Sequence, residues 1–194
     1  MTSTNGGNAV IESGITGTFG VFHFHTGTSN TTGGGGFNFN YGGATSPCLL
    51  TSSQTYTLEF YIYFSVVSDG TNTYILRVGF GGGGSTAPTE GCTAEYTHSV
   101  NGGALTLKTI KTSGGAANTV VNGTGPALAI NTLYRITLVA SNSSCTLYQD
   151  GVSIATVSSN FPTVAVSFGG SMIKSAGLTQ RDAYCDYVYY KQAM

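Results

Sequence analysis

Apolar side chains recur at every second position along most of this chain and almost nowhere with a helical period. A strand sends alternate side chains to opposite faces, so this rhythm predicts sheets with one packed face and one open face. From Leu133 to Val157 it predicts three strands. Tyr134, Ile136, Leu138 and Ala140 form one face of the first, and Arg135 and Thr137 the other. Ser141-Asn142-Ser143-Ser144 interrupts the run with side chains that hydrogen-bond to nearby backbone. Asp150-Gly151 suits a two-residue hairpin turn with positive φ at both positions. Such a meander covers one side of a core and requires a second sheet opposite.

The longest strand runs from Tyr56 to Val67, with Tyr56, Leu58, Phe60, Ile62, Phe64 and Val66 inward and Glu59, Tyr61 and Tyr63 outward. Ser68 to Asn72 reads as a turn, and Thr73 to Phe80 as the antiparallel strand that returns beside it. Phe19–His25, Phe37–Tyr41, Thr93–Val100, Leu105–Lys111, Asn118–Val121, Val164–Phe168 and Ala183–Lys191 are further strands, with Met172–Lys174 a weak one. In the last strand, Tyr184, Asp186, Val188 and Tyr190 alternate with Cys185, Tyr187 and Tyr189. Thr26–Gly36 and Gly81–Gly91 read as loops, Asn101-Gly102-Gly103 as a hairpin turn, and Ser175–Asp182 as a short helical turn at most. Residues 1–18 form a polar arm or first edge strand ahead of a single domain over 19–194. About a dozen strands with frequent turns predict an all-β, two-layer antiparallel sandwich.

Composition narrows the class. Only 8% of residues are charged, against about 25% in ordinary soluble proteins. Gly contributes 29 residues, and 40% hydrophobic content argues for a packed β protein over a tail or linker. Seven scattered Lys and Arg with a net charge of −1 exclude a basic footprint for nucleic acid or an anionic membrane. No apolar run approaches the roughly 18 residues of a membrane span. The start, MTSTNGGNAVIESG, has neither the basic head nor the apolar centre of a signal peptide, so synthesis in the cytoplasm is expected. Cys48, Cys92, Cys145 and Cys185 form no CxxC pair and read as free, buried thiols. If two of them join, Cys145 and Cys185 are the pair to test first, because both lie in predicted strands.

Tyr134-Arg135-Ile136, Leu147-Tyr148-Gln149-Asp150-Gly151, Phe161-Pro162, Phe168-Gly169-Gly170 and Asp186-Tyr187-Val188 follow one another along the C-terminal third. In that order they resemble the concanavalin A-like (laminin-G-like) jelly roll, and the resemblance implies jelly-roll topology for the sandwich. Domains of this kind occur in lectins, glycosidases and extracellular modules. Gly/Thr/Ser/Asn-rich forms occur in bacteriophage tail and capsid-surface proteins, and the composition here is most similar to that group. Fold leaves function open, so each candidate chemistry rests on its own residues.

Glycosidases of this fold place acids together on one strand, since one acid must protonate the leaving oxygen while another attacks or activates water. Glu59 is alone in the long strand, and Asp186 has only Asp182 near it. Asp69 and Asn72 are weak calcium candidates, one carboxylate and one amide already explained by a turn. His23 and His25 share a strand face and form, with His98, a weak zinc candidate. The runs Gly33–Gly36 and Gly81–Gly84 lack the following helix and Lys-Ser/Thr of a phosphate loop. Tyrosine is the surplus that remains: Tyr61, Tyr63, Tyr187 and Tyr189 are candidate glycan or subunit contacts, because open aromatic faces stack on sugars or on a neighbouring subunit.

These readings lead to the expectation of a non-enzymatic virion structural protein without cofactor, a capsid-decoration (cement) protein on the phage particle surface. Its expected partners are the major capsid protein or another virion protein and further copies of itself, with a trimer assumed. The alternative is a carbohydrate-binding, lectin-like module of a phage tail fibre or host-attachment protein that meets a cell-surface glycan.

Overall fold

The computed structural model describes residues 2–4, 8–12, 21–28, 34–39, 48, 50, 53–81, 88–112 and 117–193. Among them are fourteen strands. Seven lie in one sheet: β1 (Thr2–Thr4), β4 (Gly34–Phe39), β6 (Tyr74–Phe80), β7 (Gly91–Thr97), β8 (Thr106–Lys111), β9 (Ala117–Asn122) and β13 (Phe168–Lys174). The other seven are β2 (Asn8–Glu12), β3 (Val21–His25), β5 (Thr55–Phe64), β10 (Leu133–Ala140), β11 (Cys145–Gln149), β12 (Val152–Val157) and β14 (Asp182–Ala193). The first sheet has the order β1-β4-β13-β6-β7-β8-β9 and the second β12-β11-β10-β5-β14-β3-β2. All pairings are antiparallel. The chain is therefore the expected all-β sandwich of jelly-roll type.

The alternating rows become its core. Tyr56, Leu58, Phe60, Ile62 and Phe64 of β5, and Tyr134, Ile136, Leu138 and Ala140 of β10, are buried. They face Tyr74, Leu76, Val78 and Phe80 of β6, also buried, so both sheets share one apolar cluster. Asp150 and Gly151 have φ of 53° and 85°, the positive pair that a type I′ hairpin turn needs. Val66 falls beyond the end of β5 and is 37% exposed, outside the inward row that the sequence suggests.

Tertiary context corrects several local expectations. β5 and β6 are not a hairpin: the Ser68–Asn72 turn carries the chain from one sheet to the other, and Tyr56 meets Phe80 across the core, ring edge to face, at 6.3 Å. Two glycine-rich stretches are strands. β4 begins at Gly34, inside the expected loop, where a Cβ would stand 2.7 Å from the Met172 backbone oxygen. β13 runs through Gly169-Gly170, where a Cβ on Gly170 would press at 3.2 Å on Phe24, Phe37 and Val78. Glycine at these points marks close approach of another chain segment rather than a turn. The strand expected at Val164–Phe168 reduces to one bridge, Cys48 with Val166. The only helical turn among the described residues is a 3₁₀ turn at Asn101–Gly103, not at Ser175–Asp182.

The cysteines also depart from expectation. Cys92 of β7 and Cys145 of β11 form a disulfide from one sheet to the other, 53 residues apart in sequence. Cys48 and Cys185 are free and buried, so Cys145 does not join Cys185. Cys145 of β11 and Cys185 of β14 lie in the second sheet with β10 and β5 between them, whereas Cys92 projects from the opposite sheet toward Cys145. Burial pushes the Cys48 thiol up to about 12, against a smaller opposing hydrogen bond from Tyr190.

Candidate functional site

The outward face of the second sheet gathers most of the polar and aromatic side chains that the sequence singles out. β3, β14, β5 and β10 lie side by side, and their register arranges the outward residues in rungs. His25 stands opposite Asp182. The next rung is His23, Tyr184, Tyr63 and Leu133, then Asp186, Tyr61 and Arg135, then Tyr189, Glu59 and Thr137. Four neighbouring strands span about 14 Å.

At one corner, His23 Nε2 lies 2.8 Å from Asp182 Oδ1, and the imidazole stacks on Tyr184 with centroids 4.5 Å apart and planes 14° apart. The His25 ring is 5.6 Å from His23, and Tyr63 is 5.9 Å from Tyr184. Burial pushes the Asp182 carboxyl up, but hydrogen bonds from His23 and Gln180 outweigh it and hold the group below its usual value. The carboxylate is thus set to receive one ring N–H and to orient the imidazole, the arrangement by which an Asp fixes a histidine tautomer.

A β-bulge shapes the centre of the face. Register along β14 shifts between Asp186 and Val188, and Tyr187, the extra residue, has φ of 47°. The bulge corrects the expected alternation of the last strand: Cys185, Val188 and Tyr190 face or pack against the core, and Asp186, Tyr187 and Tyr189 all turn outward. Tyr187 and Tyr189 are 55% and 40% exposed. Their rings are parallel within 5° at 6.4 Å, and Tyr61 meets Tyr187 edge-on at 5.8 Å. Beside them opens a hollow of about 410 Å³ lined by Glu59, Tyr61, Leu133, Asp186 and Tyr187. Glu59 therefore has an acidic neighbour after all, supplied across β5 and β14 instead of along one strand.

Three of the four candidate tyrosines cluster around this hollow, and Tyr63 joins the His23 corner, its hydroxyl donating to Asn131 Oδ1 at 2.8 Å. The metal candidates do not assemble. Asp69 Oδ1 accepts from the N–H groups of Thr71 and Asn72 at 2.8 and 2.7 Å, and Oδ2 meets Arg181. These hydrogen bonds, from Asn72 first and then Thr71, with Arg181 adding to them, lower the carboxyl to about 2. Asn72 Oδ1 accepts from the Thr179 N–H at 2.9 Å, so both side chains serve the turn. His98 follows β7 of the first sheet, whereas His23 and His25 are in the second. Among the described residues no three His, Cys, Asp or Glu side chains gather as a metal-holding group. The Gly33–Gly36 run enters strand β4 from Gly34, and residues 82–84 of the second glycine run lie outside the described residues.

Sequence reasoning missed the pairing of His23 with Asp182, 159 residues apart. In the sequence, Asp182 reads only as a possible companion of Asp186. No local signal announces a contact between the third strand and the last.

No curated protein matches the sequence. Solved structures do match the fold. Alginate lyase AlyC3 superposes with a TM-score of 0.58 at 10% identity, covering 90% of this chain and 76% of that one. The family 7 alginate lyase A1-II′ in complex with product (GGG) gives 0.57 at 10% identity over 90% of this chain and 80% of its own. The alginate lyase from Corynebacterium sp. gives 0.53 at 12% identity over 89% and 77%. At such identity the likeness is one of fold. These neighbours, alginate lyases on the same sandwich, overturn the expectation of a non-enzymatic virion structural protein. Nothing in the family match ties the chain to phage particles. Residues 38–182 match the concanavalin A-like lectin/glucanases superfamily (laminin-G type), and the chain belongs to that superfamily.

Proposed function

We propose that this protein is a carbohydrate-active enzyme that takes a uronate-containing polysaccharide along the outward face of its second sheet and cleaves it by β-elimination. The observation that carries the reading is the His23 corner: a histidine oriented by Asp182 and stacked on Tyr184, on an open face rich in tyrosine. Elimination needs a base to remove the proton from the carbon that bears the carboxyl group, and an acid for the leaving glycosidic oxygen. His23, oriented through Nε2 by Asp182, serves as the base. The Tyr184 hydroxyl supplies the proton as the carbon–oxygen bond breaks and a carbon–carbon double bond forms beside the carboxylate. His25, when protonated, offers positive charge to the uronate carboxylate at the same corner.

The alginate lyases of this fold lend support in kind. One A1-II′ structure holds substrate (GGMG) with a histidine and a tyrosine replaced. A second reading comes from Glu59 and Asp186, two carboxylates on one hollow, which is the residue pair that hydrolysis of a glycosidic bond requires. The products separate the two. Elimination yields a 4,5-unsaturated uronate that absorbs in the ultraviolet, and hydrolysis yields a reducing end without that band. Unsaturated product from a uronate polymer, lost in His23→Ala and in Tyr184→Phe, supports the proposal. Absence of such product across a panel of uronate polymers overturns it.

A further inference from the structure

We infer that the hollow between β5 and β14 is a subsite for a neutral, hydroxyl-rich sugar ring, so that the polymer suited to this face places neutral sugar next to uronate instead of being a run of uronates. The inference rests on the reading of this face as a polysaccharide site and concerns its selectivity.

Three features carry it. The walls are aromatic: Tyr61 and the exposed Tyr187 line a hollow of about 410 Å³, with Tyr189 parallel to Tyr187. Ring faces of this kind take the C–H face of a pyranose. Acceptors line the same hollow. Glu59 Oε2 accepts from Thr137 at 3.1 Å, and Asp186 Oδ1 from the Tyr187 N–H at 2.8 Å. Their other oxygens receive no donor among the described residues. A carboxylate can only accept hydrogen bonds, and sugar hydroxyls donate them.

The third feature is charge. No Lys, Arg or His lines the hollow. Arg135, opposite Tyr61 in register, turns its guanidinium to the β11–β12 turn, where Nη2 sits 2.8 Å from the point a Cβ on Gly151 would occupy. A uronate placed here would face two like charges with no counterion, which disfavours it strongly. His23 stands one strand spacing from β14, and its register partner Tyr184 is two residues before Asp186, so the corner and the hollow are about 8 Å apart and both can hold rings of one chain. The bulge at Tyr187 builds the subsite, because it puts Asp186 and Tyr187 on one face in succession. A tyrosine at φ 47° is a costly conformation that bulges retain at working sites.

The test is calorimetric titration of wild-type protein with two oligosaccharides of equal length: one alternating glucuronate with N-acetylglucosamine, the other oligomannuronate. Wild type is expected to bind the alternating oligosaccharide about tenfold or more tightly, as like-charge exclusion implies. In Glu59→Gln/Asp186→Asn that preference should shrink about tenfold, chiefly by tighter oligomannuronate binding. Should the double variant not fold, Tyr187→Ala is expected to weaken binding of both. Equal or tighter oligomannuronate binding by wild type overturns the inference, and so does a preference unchanged by the charge removal. Selectivity as expected with no elimination product would overturn only the His23 mechanism; elimination with a polyuronate preference would overturn only the subsite. Binding of neither oligosaccharide overturns both.

Discussion

His23 and Asp182 meet through a 2.8 Å hydrogen bond between β3 and β14, and neither faces the other directly in register: His25 is the residue opposite Asp182. The carboxylate reaches diagonally along the sheet to hold the ring that lies on Tyr184. His23→Ala should lower turnover of a uronate polymer about 10²–10⁴-fold, the usual share of a general base. Asp182→Asn removes the carboxylate that orients the ring, so the maximal rate should fall there as well. Steady-state rates of both variants against wild type check this, and an unchanged rate in Asp182→Asn would separate Asp182 from the catalytic proton.

The Asp69 turn predicts a specific acid limb of stability. Its carboxyl is lowered from 3.8 to about 2 by the N–H groups of Asn72 and Thr71 and, less, by Arg181. A depressed folded-state value contributes stability above the unfolded value and loses it as pH falls through the folded one. Asp69→Asn should therefore melt lower at neutral pH, and the gap between the two proteins should close as pH drops from about 4 to about 2. Thermal melts across that range decide it.

The disulfide between Cys92 and Cys145 predicts two thiols, Cys48 and Cys185, in the unreduced denatured protein and four after reduction. Both free thiols are buried, so a thiol reagent should titrate neither in the native state. Cross-linking a loop of this size contributes about 4 kcal/mol by restricting the unfolded chain. Cys92→Ala/Cys145→Ala should lower the unfolding free energy by a comparable amount, measured with denaturant.

Tyr187 offers a separation of backbone from side chain. Glycine carries no penalty at φ 47°, whereas alanine does. Tyr187→Gly should exceed Tyr187→Ala in stability by about 1 kcal/mol, although both remove the same aromatic wall. Equal melting temperatures would mean that the bulge relaxes when the ring is lost.

On the first sheet, Arg77 Nε donates to Glu95 Oε1 at 2.7 Å, with side-chain exposures of 6% and 12%. Removing one partner strands a buried charge. Glu95→Ala should cost about 3–5 kcal/mol, more than most surface changes. Equilibrium unfolding measures it.

How much of this was legible in the chain differs by element. The inward rows of β5, β6 and β10 could be read directly, because which face a side chain takes depends only on its position within its own strand. The Asp150-Gly151 turn was legible for the same reason, since positive φ is a property of those two residues. The outward tyrosines of β5 were placed on their face, and β14 was foreseen as a strand, yet the straight alternation expected there failed at Tyr187. A bulge is decided by the pairing with the neighbouring strand: Ala183 to Ala193 of β14 run against Phe64 to Thr55 of β5 with Tyr187 as the unpaired extra residue. The start of glycine-rich β4 looked like a loop and β13 like only a weak strand, because a sequence shows flexibility but not the neighbouring segments that exclude a Cβ.

By itself, then, the sequence determined an all-β sandwich, the rows that fill its core, several of its turns, and an outside poor in charge. Tertiary structure alone decided that β5 and β6 belong to different sheets, that Cys92 meets Cys145, and that His23, Asp182, Glu59 and Asp186 share a face with five tyrosines. Alternation is local and repeats every two residues, so it survives in the letters. Strand neighbours are chosen by long-range packing of whole faces, and many pairings fit the same alternation until the closed core selects one.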